Sequence, residues 1–298
     1  MEILLDPKID IVFKQIFASE GNEALLISLI NSTLSEEDYI DSVTIINAKN
    51  LQRFVVDKLS EIDIKAKCRD GRLINIEMQI GAGAHYEKRA LYYWSRLYNQ
   101  QLEQGGKFHT LKKTIGIHLI TGFTLTQNTN YHSKFRLIEE TTGEHNFKEI
   151  ELHVVELDKF EAQYSPELEN SIDVLKTALD EWSAFLTNYT ILNEKKYKSK
   201  LHNPNINKAL EQLEFMSMDA EQRSLCEDRI KHLLDIEDLM ETGKASSKKE
   251  GMVEGIEKGA KEKQLEIARK MLSRNKNIEE ISEITGLSEE EIKALAKE

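Results

Sequence analysis

The hydrophobic and polar positions of this chain repeat with two different periods, which separate predicted helices from predicted strands. Residues 6–17, 22–30 and 84–104 carry apolar side chains at helical spacing. Five segments have the β-branched or alternating character of strands, namely 39–46, 59–68, 72–80, 114–121 and 150–157. Because helices and strands alternate, the first 160 residues are expected to form an α/β or mixed domain.

After residue 160 the pattern changes twice. From Ser165 to Gly243 the signals are helical, with Pro166 read as a first-turn residue. Residues 244–263 then form a charged linker of Gly, Lys and Glu, predicted to be solvated and partly helical. Residues 264–298 repeat apolar positions in three short segments around Thr285-Gly286, which predicts a small module resembling a helix-turn-helix.

The last of these three helices begins with the sequence SEEE. In a DNA-reading helix-turn-helix these glutamates would face phosphate, which is unfavourable. Two interpretations of residues 264–298 therefore stay open, a DNA-binding module and a small packing or self-association module.

The strongest local pattern is the run EIDIKAKCRDGRLINIEMQI at residues 61–80, which reads as a β-hairpin. Pairing the apolar positions of the two strands requires partner numbers with an even sum. A sum of 140 leaves the three-residue loop Arg69-Asp70-Gly71, with glycine at the left-handed position. This register places Asp63 opposite Glu77 and Lys65 opposite Asn75.

Two carboxylates directly opposite each other repel, so Asp63 and Glu77 are a poor choice for stability alone. A divalent cation would remove the repulsion, and oxygen ligands with Gln79 nearby suit Mg²⁺, with Mn²⁺ as a substitute. A solvated hairpin face with mixed charges is the alternative.

The formal net charge of −12 argues against nucleic acid as a partner. The charge balance reverses locally between Lys49 and Arg72, where the sequence contains seven basic and four acidic residues. No apolar stretch approaches a membrane span, and the two cysteines form no metal-binding spacing. These features predict a cytoplasmic protein that has no membrane segment and no organic cofactor.

Two helical segments add candidate site residues. In the helix from residue 84, Arg89, Tyr93 and Arg96 share one face and could contact phosphates and stack on a sugar or base. Their alternative is a surface stripe paired with carboxylates. In the first helix, Asp10 and Lys14 are four positions apart and could form an exposed ion pair.

The chain also resembles a known family. Asp63 and the triplet Glu77-Met78-Gln79 resemble the PD-(D/E)XK nucleases, with Gln in the position usually held by Lys. Five segments in order resemble the Rpn family of recombination-promoting nucleases and transposases: DPKIDIVFKQIF, NIEMQI, YEKRALYYWSRLY, VVELDKF and ITGLSEEEI. The likeness covers residues 6–160 and the C-terminal tail.

This resemblance implies a restriction-endonuclease-like PD-(D/E)XK core over residues 1–160, a mixed sheet flanked by helices, followed by a helical region and the small helical tail. It also implies Mg²⁺-dependent cleavage of double-stranded DNA, with Asp63 and Glu77 as metal ligands and Gln79 at the lysine position. In nucleases of this fold an early helix often supplies an acidic residue to the metal, so Asp10 is a further candidate metal ligand. Because Gln carries no charge, Lys65 becomes a candidate to stabilise the phosphate.

The sequence therefore predicts a metal-dependent DNA endonuclease linked to recombination or transposition. Cutting both strands needs two active sites, so a homodimer is one expectation. The second hypothesis is a nuclease fold without catalysis that binds DNA or protein. The third is a purely structural or self-associating protein, in which the acidic pair has no function.

Overall fold

A six-stranded mixed sheet is the centre of the first part of the chain. In spatial order it runs β1-β2-β3-β4-β6-β5, with β3, β4 and β6 parallel and the other strands antiparallel to their neighbours. Its strands are β1 (Val43–Ile45), β2 (Ile64–Cys68), β3 (Leu73–Ile80), β4 (Thr114–Thr121), β5 (His132–Arg136) and β6 (Ile150–Glu156). The mixed sheet with flanking helices confirms the predicted fold class.

Seven labelled helices accompany the sheet in this computed structural model. They are α1 (Asp10–Ala18), α2 (Glu23–Thr33), α3 (Tyr86–Asn99), α4 (Leu157–Leu168), α5 (Ala178–Leu192), α6 (Lys195–Lys198) and α7 (Pro204–Met218). The residues described are 4–46, 64–81, 85–228, 230–231, 238, 261–270, 272–273 and 276–295. None of the helices within these ranges is long and apolar enough to cross a bilayer.

The two faces of the sheet are covered by different helices. One face contributes the apolar rows of β2, β3 and β4 to the main core, which also contains Phe17 of α1, Trp182 of α5 and Leu213 of α7. The helical region after residue 160 therefore shares this core. On the opposite face, Tyr86 and Ala90 of α3 pack against Ile120 and Val154 in a smaller cluster.

The hairpin between β2 and β3 has the predicted register. Ile64 pairs with Ile76 and Lys65 with Asn75, as the sum of 140 requires. Gly71 closes the three-residue loop with φ +93°, a left-handed conformation that glycine adopts without steric strain.

Several helix boundaries differ from the sequence prediction, and α3, for example, ends at Asn99 and not at residue 104. The α1 helix begins at Asp10, because Asp6 forms a separate turn in which its side chain accepts from the Lys8 amide at 2.9 Å. Pro166 lies inside α4 near its C-terminal end, so reading it as a first-turn residue was wrong. The apolar residues Leu157 and Phe160 are fully buried, and the helix that they anchor follows β6 directly.

Strand β5 was not predicted, because charged side chains occupy its core-facing positions. Arg136 and Lys134 face the buried Glu151 of β6, at 2.7 and 3.2 Å. Ion pairs thus replace the apolar alternation by which a strand is recognised in sequence.

Residues 232–298 form a second unit. Its described part has its own small core of Ala268, Ile281, Leu287 and Ile292. The helices Ile278–Thr285 and Glu289–Leu295 are separated by Gly286 with φ +72°, which confirms the predicted turn. The predicted linker at 244–263 lies outside the described residues except for positions 261–263, which are helical.

We expect Gly71→Ala to lower the free energy of unfolding by about 1 kcal/mol, because alanine is strained at this φ. Gly71→Asn should cost less, since asparagine tolerates the left-handed region. Urea denaturation of the three proteins measures both values. Equal losses would contradict a backbone origin and indicate crowding of the new Cβ against Lys112 Cγ, 3.2 Å away.

Candidate active site

The site is built on the polar row of β3, which alternates with its core-facing row. Asn75, Glu77 and Gln79 occupy this row, beneath α3. Asp63, one residue before β2, lies outside the described residues. Its position opposite Glu77 stays a prediction. The confirmed register of the next four residue pairs of the hairpin supports it.

Glu77 is buried, with 7% of its surface exposed. Arg89 of α3 places Nη2 3.3 Å from Glu77 Oε1, and His118 of β4 places Nδ1 3.6 Å from Oε2. Burial raises the pKa of the Glu77 carboxyl, but His118 and Arg89 outweigh this effect and hold the pKa below its ordinary value. Glu77 is therefore an ionised carboxylate at neutral pH.

Arg89 joins the two motif residues of β3. Its Nη2 donates to Gln79 Oε1 at 2.7 Å and also to Glu77 Oε1. The Gln79 amide nitrogen donates to the Ile80 carbonyl at 3.0 Å. The Arg89 guanidinium group thus places a positive charge beside Gln79, which has none. Because 42% of the Arg89 side chain is exposed, it can reach a ligand.

The position of Arg89 follows from how α3 packs. Tyr86 and Ala90 are buried against the sheet, and the Tyr86 ring contacts Phe123 with centroids 5.1 Å apart. Arg89 lies between these anchors in sequence, and its guanidinium carbon is 5.9 Å from the Tyr86 ring centroid. Apolar packing of the helix therefore fixes a cation beside Glu77.

The other predicted site residues lie at different distances from this centre. Tyr93 and Arg96 are exposed and follow Arg89 on the same stripe of α3. Lys65 is half-buried on the polar face of β2, opposite Asn75. Asp10 lies in the first turn of α1. The pKa of the Cys226 thiol is raised to about 11, first by the burial of the thiol and then by the negative charge of Asp10.

The outer surface of α3 also carries aromatic side chains. Tyr92 has 62% of its surface exposed, and its ring contacts that of Tyr93. Trp94 is half-buried and donates from its indole nitrogen to the Thr114 carbonyl at 2.8 Å. Two neighbouring tyrosine rings therefore lie on the exposed side of this helix.

Sequence reasoning missed His118 and Asn75. His118 is the one ionisable residue in the strand sequence TIGIHLIT, which was read as a buried strand. A polar residue in such a run is the only local signal. Its pairing with Glu77 depends on the parallel alignment of β3 with β4, which joins segments far apart in sequence.

The oxygen donors at this site fit a hard divalent cation in part. Glu77 supplies an ionised carboxylate, and Asn75 Oδ1 is buried with no hydrogen bond from the described residues. Across the described ranges, no three His, Cys, Asp or Glu side chains gather as a metal site. A complete ligand set therefore requires the second carboxylate that the register assigns to Asp63.

Replacing Glu77 by Gln should change the pH dependence of stability. A carboxyl with a lowered folded-state pKa stabilises the fold above its unfolded pKa, and this contribution is lost as pH falls through the folded pKa. In EDTA, the free energy of unfolding of wild type minus that of Glu77→Gln should therefore be largest above about pH 4.5 and decrease below it. A difference independent of pH would contradict the lowered pKa.

Comparisons with known families identify the family of the chain. Residues 7–243 match the family described as PD-(D/E)XK nuclease family transposase. Residues 261–297 match the C-terminal HTH domain of the Rpn/YhgA-like nuclease family. No curated protein and no solved structure matched the chain. Because the first match covers most of its length, the chain belongs to the PD-(D/E)XK nuclease family of transposases, with an Rpn-type C-terminal HTH domain.

Proposed function

We propose that this protein is a metal-dependent DNA endonuclease whose site comprises Asp63, Glu77 and Gln79. Membership in the family supports a nuclease or transposase-like function, and the HTH match suggests that the protein binds DNA. The observation that carries the proposal is the buried, ionised Glu77, bridged to Gln79 by Arg89. Burying a carboxylate is costly, which favours a functional reason for its position.

Asp63 and Glu77 would hold the cation, Mg²⁺ or Mn²⁺, which PD-(D/E)XK nucleases generally require. When bound, a divalent cation supplies an acidified water and neutralises charge on the scissile phosphate. Gln79 would orient the attacking water through its amide group, since a carboxamide can position water but cannot remove its proton.

Arg89 is our proposed substitute for the lysine that the motif lacks. A guanidinium group has five N–H donors in a planar fork that fits phosphate oxygens. Only Nη2 is used in the contacts with Glu77 and Gln79, so the rest of the fork can serve a phosphate. Lys65, on the same polar face, would add a second positive charge.

The wider DNA contact would follow α3. Tyr93 and Arg96 continue the stripe that begins at Arg89, and both are exposed. An aromatic ring between two guanidinium groups suits a sugar-phosphate backbone. This local positive surface supports double-stranded DNA as the substrate although the net charge is −12.

The C-terminal unit supports a different contribution. Ser288 and Glu291 form reciprocal caps, at 3.3 Å and 3.0 Å, at the start of the last helix. Glu289 and Glu290 are exposed beside them. Glutamates at this helix start disfavour phosphate contact at this position, so we propose that the HTH domain contacts DNA through another surface. This end of its last helix would instead pack or self-associate, which agrees with a homodimer.

The second candidate function is a DNA- or protein-binding module without catalysis, favoured by the neutral Gln79. Plasmid cleavage with Mg²⁺ or EDTA separates the two. Wild type should cut only with Mg²⁺, and Asp63→Ala should lose at least about 100-fold because one metal ligand is gone. Asp228→Ala, at an exposed carboxylate outside the site, is the matched control and should cut normally.

Two outcomes of this assay decide against the proposal. DNA retention without cutting in every sample would favour the binding module. Full cutting by Asp63→Ala would remove Asp63 from the site.

The role of Arg89 can be tested with a double-mutant cycle. Arg89→Met should reduce cleavage by about 100-fold or more, because a positive charge near the phosphate is lost. Adding Gln79→Lys to Arg89→Met should restore part of the rate, whereas Gln79→Lys alone places two cations together and should not help. Arg96→Met is the control for general loss of DNA affinity. Additive effects of the two substitutions would contradict a shared role.

A further inference from the structure

His118 is a buried histidine without an obvious structural reason. Only 1% of its surface is exposed, and it is the strand partner of Glu77 in the parallel pair β3–β4. Neither ring nitrogen has a hydrogen-bond partner among the described residues. Burying an unsatisfied polar group costs about 1–3 kcal/mol, and native proteins rarely keep one without a use.

The surroundings of His118 restrict the position and plane of its ring. The Tyr86 ring meets it edge to face, with centroids 5.7 Å apart and an interplanar angle of 88°. On the other side, a Cβ at Gly116 would lie 2.9 Å from His118 Nε2, so only glycine leaves room for the ring. With Nε2 over Gly116, Nδ1 faces Glu77 Oε2 at 3.6 Å.

The two oxygens of Glu77 therefore have different neighbours. Oε2 faces the buried His118, whereas Oε1 faces Arg89 and, through it, Gln79 on the more exposed side. The distance of 3.6 Å is slightly longer than a hydrogen bond, and a small rotation of the carboxylate would close it.

We propose that His118 is a positioning residue that holds Glu77 through an Nδ1–H donor to Oε2. This inference rests on the proposed function, because the held carboxylate is the one assigned to the cation. Groups that hydrogen-bond a metal-ligating carboxylate fix its orientation, and their loss typically weakens metal affinity by about 10–100-fold. His118 thus raises the affinity of Glu77 for the cation without binding the cation itself.

Two substitutions separate positioning from space filling. In His118→Asn the amide nitrogen lies as many bonds from Cα as Nδ1, so a donor toward Glu77 is kept. In His118→Gln the amide nitrogen corresponds to Nε2, so the donor points away from Glu77 toward Gly116. Both variants remove the ring, and neither introduces a charge, so each is the packing control for the other.

The experiment measures Mn²⁺ binding to the full-length protein without DNA, by electron paramagnetic resonance of the free ion. The wild-type protein should bind Mn²⁺, and the Asp63→Ala variant should lose this binding. His118→Gln should weaken binding by about 10–100-fold, whereas His118→Asn should stay within about threefold of wild type. Urea denaturation of each variant checks that the fold is intact, and a Mg²⁺ titration of plasmid cleavage should show the same order.

The outcomes distinguish the two proposals. Equal weakening in His118→Asn and His118→Gln would overturn the donor role of Nδ1 and indicate packing or direct ligation by the ring. Unchanged binding in both would also overturn it, while leaving Asp63 and Glu77 as ligands. Absence of Asp63-dependent Mn²⁺ binding in wild type would instead contradict the proposed function, and the role of His118 with it.

Discussion

Strand β3 is covered on both of its faces, and the rest of the site depends on this constraint. Side chains of a strand alternate with a period of two, so burying Ile74, Ile76 and Met78 in the main core forces the residues between them to the opposite face. That face is covered by α3, so Glu77 is buried there as well. A carboxylate removed from water needs cationic or polar neighbours, which here are Arg89 at 3.3 Å and His118 at 3.6 Å.

In helix α3, residues that pack on the sheet are therefore adjacent in sequence to a residue that contacts the polar row of β3. Tyr86 and Ala90 anchor it to the sheet through apolar contacts, and Arg89 extends from between them to Glu77 and Gln79. The position of the Arg89 guanidinium group is thus fixed by the packing of uncharged neighbouring residues. Under the proposed function, this arrangement would keep a cation near the phosphate although the motif has Gln instead of Lys.

The charge of the molecule is organised in the same local way. Cations are found close to the site and along the outer surface of α3, although the whole chain is acidic. The described part of the C-terminal unit shows the opposite balance at its last helix, which begins with three glutamates. The net charge of the whole chain therefore does not describe the charge around Glu77.

Local chemistry let the sequence alone predict the hairpin, its register and the two motif residues Glu77 and Gln79. The alternation of apolar and polar residues and the glycine loop involve residues at most about twenty positions apart, and each restricts the other. The family resemblance also came from sequence, because its motifs are short and ordered along the chain. The fold class followed from the alternation of helices and strands.

The tertiary structure alone decided which residues complete the site. Arg89 was a candidate for DNA contact, but its bridge between Glu77 and Gln79 depends on how α3 packs on the sheet. His118 gave almost no signal, because its partner is set by the parallel pairing of two strands whose intervening chain includes a helix. Strand β5 could not be predicted from its sequence, because ion pairs with Glu151 replace the row of apolar side chains. Local patterns fix what each segment becomes, whereas contacts between distant segments depend on the packing of the whole sheet, which no single segment encodes.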